Sequence, residues 1–243
     1  MKAPVLIIGA HRSGTSATAH ALELLGLQIG QRLDSHREPK ALQQLHEDYL
    51  RRVGASWHNP APFLDRIKTS DGGADCVDYL RSNLKSHFGK IFGYRNNPKG
   101  WWLRLRIKLG ASWGWKEPRA TLFAPVWLEI FPDARIVHVV RDPLAAAESI
   151  RERELQFRAA GDPPTSNLAD LEYCRRLVSQ YLSAGEQVAG SRNYERIQFE
   201  ELQANPPAML EQLATFCGLH PSTRQLATAA ASIRPARIRS ASI

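Results

Sequence analysis

The chain has 243 residues, of which 43% are hydrophobic and 23% charged, a composition typical of globular proteins that excludes a disordered chain. No apolar run reaches the ~18–20 residues that a membrane-spanning helix requires, so we expect no integral membrane association. The formal net charge of +8 favours an anionic partner. Charge alone does not distinguish a polyphosphorylated nucleotide from nucleic acid or an anionic membrane.

The length predicts one domain over residues 1–243. The apolar run at Val5–Ile8 is too short for the core of a signal peptide, and no small-residue cleavage site follows it, so we expect a cytoplasmic protein. Cys76, Cys174 and Cys217 are odd in number and far apart. This spacing predicts reduced thiols rather than a disulfide framework or a zinc site.

In chain order, short apolar runs alternate with segments of helical periodicity. The predicted strands are residues 4–8, 113–115, 134–140 and 196–199. The predicted helices are residues 14–26, 36–53, 75–88, 120–131, a segment from 143 onward, 167–189 and 206–216. Buried strands separated by helices predict an α/β chain, with a three-layer P-loop-type fold in which helices flank a central parallel sheet.

Two segments do not follow this alternation. Residues 57–110 contain tryptophans, prolines and the Asp71-Gly72-Gly73 turn signal, which predict a loop-rich substrate or lid region over a site. Residues 221–243 are weakly patterned, and we expect their arginines to be partly disordered.

The segment Gly9–Ser16 lies between a predicted buried strand and a helix, with the glycine spacing of a phosphate-binding P-loop. Converging backbone N–H groups and a helix N-terminus favour anion binding there. An ATPase places a lysine after the second glycine, but this chain has Thr15 there and carries its cation inside the loop, at Arg12. The loop is therefore predicted to hold a phosphate that adjoins a different transferable group.

The hexapeptide His11-Arg12-Ser13-Gly14-Thr15-Ser16 resembles the 5′-phosphosulfate loop of sulfotransferases that use 3′-phosphoadenosine-5′-phosphosulfate (PAPS). The resemblance implies that Arg12 contacts the bridging oxygen and the sulfuryl group. It also implies that the loop binds the 5′-phosphate through Arg12, Ser13, Gly14, Thr15 and Ser16. Because His11 adjoins Arg12, we expect it to contact a phosphate rather than to act as a base.

A second element follows the predicted strand at 134–140. Arg141 ends that strand and Ser149 lies on the next helix, so a guanidinium and a hydroxyl can converge on one phosphate. This arrangement resembles the 3′-phosphate element of the same family and implies that Arg141 and Ser149 bind the 3′-phosphate. Considered singly, each residue also has a structural explanation that involves no phosphate. The arginine could simply cap its strand, and the serine could occupy an ordinary helix position.

Two further segments resemble this family. Trp115-Lys116-Glu117-Pro118-Arg119 is similar to the Lys-Asp-Pro or Lys-Glu-Pro element of bacterial and Golgi-type carbohydrate or tyrosylprotein sulfotransferases, which implies that Lys116 lies near the transferred group. Phe199-Glu200-Glu201-Leu202 resembles the Tyr-Glu-x-Leu segment of the family. Here Phe199 replaces the tyrosine, so any hydrogen bond from that hydroxyl is lost.

In-line sulfuryl transfer requires cations at the leaving oxygen and a base at the acceptor. We assign the cations to Arg12 and Lys116 and the base to Glu38, with His36 and His46 as further candidates. A structural role for Glu38 at a helix N-terminus is equally compatible with its position. The pKa of an arginine exceeds ~12, so Arg12 would act only through its charge. No metal is expected.

The predicted function is transfer of a sulfuryl group from PAPS, leaving 3′,5′-ADP, to the hydroxyl or amine of a small-molecule, glycan or glycolipid acceptor. Trp57 and the Trp101–Lys108 segment could line an acceptor pocket or form an interaction surface. One alternative is a P-loop nucleoside or small-molecule kinase. Another is a non-catalytic nucleotide or polyanion binder, although no nucleic-acid motif is present and no nucleic-acid partner is expected.

Overall fold

A computed structural model of the protein describes residues 2–30, 33–92, 98–165 and 167–234. It contains a parallel four-stranded sheet with the strand order β2-β1-β3-β4. The strands are β1 (Val5–Ile8), β2 (Gly114–Lys116), β3 (Arg135–Val140) and β4 (Tyr194–Gln198). Because all strands run in one direction, the phosphate-loop segment after β1 and Arg141 after β3 emerge at the same edge of the sheet. This arrangement confirms the predicted α/β fold.

Helices connect and flank these strands. They are α1 (Thr15–Leu24), α2 (Lys40–Arg52), α3 (Ala61–Ile67), α4 (Ser70–Phe92), α5 (Pro98–Lys108), α6 (Ala124–Ile130), α7 (Pro143–Ala159), α8 (Leu171–Glu186), α9 (Phe199–Ala204), α10 (Pro206–Phe216) and α11 (Thr223–Ser232). A short 3₁₀ helix, Pro118–Thr121, follows β2. Within the described ranges, no helix is both long and apolar enough to cross a bilayer.

The central strand β1 is buried on both faces. Leu6 and Ile8 belong to one core cluster, whereas Val5 and Ile7 belong to a second cluster on the opposite face. Successive side chains of a strand point to opposite faces, and each face here is covered by helices. This packing is the reason that the sequence shows a continuous apolar run rather than an alternating one.

The prediction that residues 57–110 are loop-rich is wrong, because α3, α4 and α5 occupy most of that segment. A Cβ at Gly72 would lie 2.1 Å from the carbonyl oxygen of Arg66, so this glycine permits a close approach of α4 to α3. Burial of Val77 and Leu80 in the core stabilises α4, although the sequence of its first turn is typical of a loop. Residues 93–97 lie outside the described ranges.

The C-terminal segment also differs from the prediction. Residues 223–232 form α11, whose N-terminus is a capping box in which the side chains of Ser222 and Gln225 each bond to the other residue's backbone. This helix packs against α1 and α10, and Ala229 is buried in that contact. Of the four tail arginines predicted to be partly disordered, Arg224 lies in α11 and Arg234 follows that helix, whereas Arg237 and Arg239 lie outside the described ranges.

Candidate active site

The loop between β1 and α1 is fixed near both ends. At its start, the backbone N–H of Gly9 donates to Thr121 Oγ1 at 2.8 Å, and that hydroxyl donates to the Gly9 carbonyl oxygen at 3.1 Å. At its end, Gly14 caps α1 with φ 95°, and a Cβ there would lie 2.2 Å from the ring of Phe199. Only glycine fits this backbone conformation and this contact. Thr121 carried no signal in the sequence.

The structure brings the two predicted phosphate elements together. Arg141 Nη1 donates to the backbone oxygen of Arg12 at 3.0 Å, and Arg12 Nε donates to Ser149 Oγ at 3.0 Å. The two elements therefore lie in direct contact in the structure. Their contacts to a nucleotide remain a prediction. Arg12 was predicted to face the sulfuryl group, but its guanidinium lies beside Ser149, the residue predicted for the 3′-phosphate.

Three arginines form a cationic group at the loop. Arg12, Arg141 and Arg153 all line one cavity. Burial lowers the pKa of Arg12, and the nearby charges of Arg153 and Arg141 lower it further. An anion bound among these guanidinium groups would relieve their mutual repulsion. Arg153 was not among the residues predicted from the sequence, although it lies one helical turn beyond Ser149 on α7, a spacing that places the two side chains on one face.

Lys116 lies at the end of β2, buried beside the start of α1. Its Nζ donates to Ser16 Oγ at 3.0 Å, to the backbone oxygen of His36 at 3.0 Å, and to Glu38 Oε1 at 2.5 Å. Burial lowers its pKa from the ordinary value of 10.5, and the charge of Glu38 opposes that shift. Two of the three predicted catalytic residues therefore form a direct ion pair. Gln43 Nε2 donates to the second oxygen of Glu38 at 2.6 Å.

A buried ionic network lies beside the ion pair of Lys116 and Glu38. Arg119 binds Glu117 Oε1 and Glu47 Oε1, each at 2.6 Å, and its Nη1 lies 3.9 Å from Glu38 Oε2. Burial alone would raise the pKa of Glu117, but the charge of Arg119 and the hydrogen bond with His46 lower it. His46 uses Nδ1 toward Glu117 and Nε2 toward the Trp127 indole. Both ring nitrogens of His46 are thus engaged within the protein, so neither can take a proton from an acceptor substrate. His46 is therefore excluded as the base.

The predicted phosphate contact of the Ser13 hydroxyl requires correction, whereas that of His11 stays a prediction. Ser13 is 1% exposed, and both its backbone N–H and its hydroxyl donate to the Ala10 carbonyl oxygen. It therefore shapes the loop, and its hydroxyl is not directed at a phosphate. His11 packs its ring against Trp57 and Tyr181, with centroid distances of 4.5 Å and 5.6 Å. Burial, followed by the charge of Arg119, lowers its pKa well below 6.5, so its imidazole adds no positive charge at neutral pH.

Two adjoining cavities meet at the loop. The loop-side cavity has a volume of about 260 Å³, and its lining includes Thr15, Ser16, Lys116 and Arg141. The adjoining cavity has a volume of about 200 Å³ and extends toward α7. Both cavities are lined by His11, Arg12, His36, Glu38 and Arg153. Glu38 therefore lies where a group bound in one cavity would meet a group bound in the other.

The sequence matches a family model described as "Sulfotransferase family" over residues 4–222. The chain belongs to the sulfotransferase family. It is 29% identical over 108 residues to the omega-hydroxy-beta-dihydromenaquinone-9 sulfotransferase Stf3 of Mycobacterium bovis and to that of Mycobacterium tuberculosis. Each alignment covers 43% of this chain and only 28% of the relative.

Solved structures of low sequence identity share the fold of this sulfotransferase. The sulfotransferase domain of the Synechococcus PCC 7002 olefin synthase matches with a TM-score of 0.53 and 17% identity, covering 94% of this chain and 78% of that one. Sulfotransferase STF9 from Mycobacterium avium matches with a TM-score of 0.52 and 15% identity, covering 94% and 67%. These likenesses support the P-loop-type assignment.

The tryptophans predicted to line an acceptor pocket in this sulfotransferase separate into two groups. Trp57 lines the adjoining cavity together with Ile150, Phe157 and Leu168. Trp101 and Trp102 line neither cavity and are 46% and 59% exposed on α5. Trp57 therefore lines a cavity, Trp101 and Trp102 line neither of the two, and a role of Trp57 toward an acceptor stays a prediction. Among the described residues, no cluster of His, Cys, Asp and Glu forms a metal-binding group.

Proposed function

We propose that this sulfotransferase moves a sulfuryl group from PAPS to an acceptor hydroxyl or amine and releases 3′,5′-ADP. One observation carries the proposal: Arg141 and Lys116 place separate cationic contacts on the same loop and line one cavity. PAPS carries two phosphate groups, one of which bears the sulfuryl group, so two distinct cationic contacts in one cavity suit such a ligand.

The loop N–H groups and the N-terminus of α1 would hold the 5′-phosphate, with Thr15 and Ser16 adding hydroxyl contacts. Arg141 and Ser149 would hold the 3′-phosphate. Arg12 adjoins both of these sites, because it belongs to the loop and its side chain contacts Ser149. Lys116 donates to Ser16 in the first turn of α1, which makes it the better candidate for the sulfuryl end.

In the proposed reaction, the acceptor oxygen attacks sulfur as the bond from sulfur to the bridging phosphate oxygen breaks. Negative charge grows on that leaving oxygen and remains on the phosphate of 3′,5′-ADP. The ammonium of Lys116 stabilises this charge in a site shielded from water, where such an interaction is stronger than in solution. The proton of the acceptor passes to a base.

Glu38 is the proposed base, because it is 5% exposed and lines both cavities. Its Oε1 accepts a hydrogen bond from Lys116. Binding of PAPS would draw the ammonium toward the sulfuryl oxygens and release this carboxylate oxygen to accept a proton. His36 also lines both cavities and is the alternative base.

The adjoining cavity is the proposed acceptor site. Its volume of about 200 Å³ admits one ring-sized group, since a cavity of roughly 150 Å³ accommodates benzene. Trp57 supplies an aromatic face, while Asp34 and Gln43 supply hydrogen-bonding groups, a combination that suits a sugar ring. A terminal sugar of a glycan or glycolipid is thus the first acceptor class to test. The names of the mycobacterial relatives make a hydroxylated lipid quinone the second.

Incubation of the protein with sulfur-labelled PAPS and a panel of acceptors tests this function. The panel contains sugars, glycolipids, lipid alcohols and simple phenols, and the products are analysed by mass spectrometry. We expect one class to gain the mass of SO₃ while an equal amount of 3′,5′-ADP forms. PAPS binding without transfer to any member of the panel would favour the non-catalytic binder.

A further inference from the structure

The exposed side of α5 carries a second apolar surface that the proposed reaction does not use. On the inward side, Gly100 and Ile107 are buried and Leu103 packs against the core. On the opposite side lie Trp101, Trp102, Leu105 and Leu109, which we call the α5 crest. The backbone N–H of Leu109 donates to the Leu105 carbonyl oxygen, so helical geometry continues to the last crest residue.

Helical spacing accounts for both surfaces. Trp102, Leu105 and Leu109 stand at positions i, i+3 and i+7, which places them along one face of the helix. Trp102 is 59% exposed and Leu109 is 78% exposed, high values for large apolar side chains. A helix that is apolar on two opposite faces buries one in its own fold and leaves the other to contact something else.

Basic residues border the crest. Arg106 lies on one side of it and Lys108 on the other, and both are exposed. From Tyr79 to Lys116 the sequence contains no aspartate or glutamate, although lysines and arginines recur throughout. The surface is therefore apolar along its centre, cationic at its edges and free of carboxylates from its own segment. Its partner must offer both an apolar layer and negative charge.

We propose that the α5 crest docks onto the surface of an anionic lipid bilayer. Tryptophan rings occupy the boundary between headgroups and acyl chains, leucines enter the apolar layer, and flanking lysines and arginines extend toward the phosphates. Anionic lipid attracts such cations, whereas nucleic acid would leave Leu109 without an apolar partner. This contact concerns a surface outside both cavities, so it does not rest on the proposed sulfuryl transfer.

Co-sedimentation of the full chain with lipid vesicles tests the proposal in the absence of PAPS and acceptor. We expect binding to vesicles of phosphatidylcholine mixed with phosphatidylglycerol, and much weaker binding to phosphatidylcholine alone. Trp101→Ser/Trp102→Ser should lower the affinity for the mixed vesicles by ~10-fold or more, because it removes the apolar contact. Arg106→Gln/Lys108→Gln should weaken binding and reduce its dependence on salt.

Two control variants are matched to these changes. Leu144→Ser/Leu155→Ser removes exposed apolar side chains on α7, and Arg175→Gln/Arg176→Gln removes two exposed charges on α8. Both should bind the vesicles within about twofold of the parent protein, a change too small to indicate a contact worth 1 kcal/mol. All substituted positions are on the surface, and thermal unfolding of each variant checks that the fold is intact.

Several outcomes would overturn the docking proposal. One is that the parent protein fails to sediment with the anionic vesicles. Another is that the α7 pair reduces binding as much as the Trp101 and Trp102 pair does. A third is that the tryptophan pair instead abolishes self-association in light scattering, or binding to a single-stranded RNA, while vesicle binding is unaffected. None of these results would bear on the proposed transfer reaction, which is tested separately with PAPS and its own panel of acceptors.

Discussion

Replacement of Lys116 with methionine is expected to lower the rate of sulfuryl transfer by ~10²–10³-fold while 3′,5′-ADP still binds. The proposed ammonium acts on charge that develops only as the bond to sulfur breaks, so its removal affects the transition state more than the bound nucleotide. The rate is measured in a single turnover with PAPS. Binding of 3′,5′-ADP is measured by calorimetry in the same preparation.

The same substitution has a structural effect that must be separated from the catalytic one. Lys116 is 1% exposed and Glu38 is 5% exposed, so the single variant leaves a carboxylate buried without its main partner. Removal of one member of a buried ion pair typically costs ~3–5 kcal/mol of the free energy of unfolding. The double variant Lys116→Met/Glu38→Gln should recover most of this free energy but none of the activity. Recovery of activity together with stability would assign Lys116 a purely structural role.

Glu38→Gln alone then tests the proposed base. Glutamine keeps the shape of the side chain and a hydrogen-bond acceptor for Lys116, but it does not accept a proton at neutral pH. A general base usually contributes ~10²-fold or more to the rate. A fall in rate of less than about threefold would exclude Glu38 as the base and leave His36 as the candidate.

Replacement of Arg141 with alanine is expected to lower the affinity for 3′,5′-ADP by ~10–100-fold and to leave the affinity for 5′-AMP nearly unchanged. A hydrogen bond to a charged group contributes ~1.5–3 kcal/mol, and each 1.4 kcal/mol corresponds to about a tenfold change in affinity. The two nucleotides differ in the 3′-phosphate, so their comparison isolates that contact. Calorimetric titration of both ligands into each variant measures the effect.

The matched control is Arg224→Ala, which removes the same charge from an exposed position on α11. It should change neither affinity by more than about twofold, because screening weakens the effect of an exposed charge at a distance. Arg141 also donates to the backbone oxygen of Arg12. An equal loss of affinity for both nucleotides would mean that Arg141 only positions the loop, and the 3′-phosphate assignment would be wrong.

The sequence predicted the parts of this site that depend on local pattern. The apolar run before Gly9 and the branched residues before Arg141 each specify a buried strand, and parallel strands bring their carboxyl ends to one edge. The juxtaposition of Arg141 with the loop follows from those two strands being neighbours, across 129 residues of sequence. The pairing of Lys116 with Ser16 follows from β2 lying on the other side of β1.

The parts that the sequence did not predict depend on packing between distant elements. Thr121 reaches Gly9 from the 3₁₀ helix after β2, and His46 reaches Glu117 from α2, with no motif at either position. The hydrogen bond from the Ser13 hydroxyl to the Ala10 carbonyl oxygen depends on the backbone path of the loop. The sequence motif does not indicate that path. Segment 57–110 was predicted to be loop-rich because a glycine such as Gly72 is locally a turn signal. In the structure, Gly72 instead allows a close contact between two helices.

The central claim is that one cavity of this sulfotransferase holds a nucleotide with phosphates at both the 3′ and the 5′ position. Thermal-shift titration of the parent protein with 3′,5′-ADP, and separately with ATP and Mg²⁺, tests it most directly, since a ligand that binds only the folded state raises the unfolding temperature. We predict stabilisation that increases with the concentration of 3′,5′-ADP and little change with ATP and Mg²⁺. Stabilisation by ATP and Mg²⁺ without a response to 3′,5′-ADP would contradict the claim and favour a kinase.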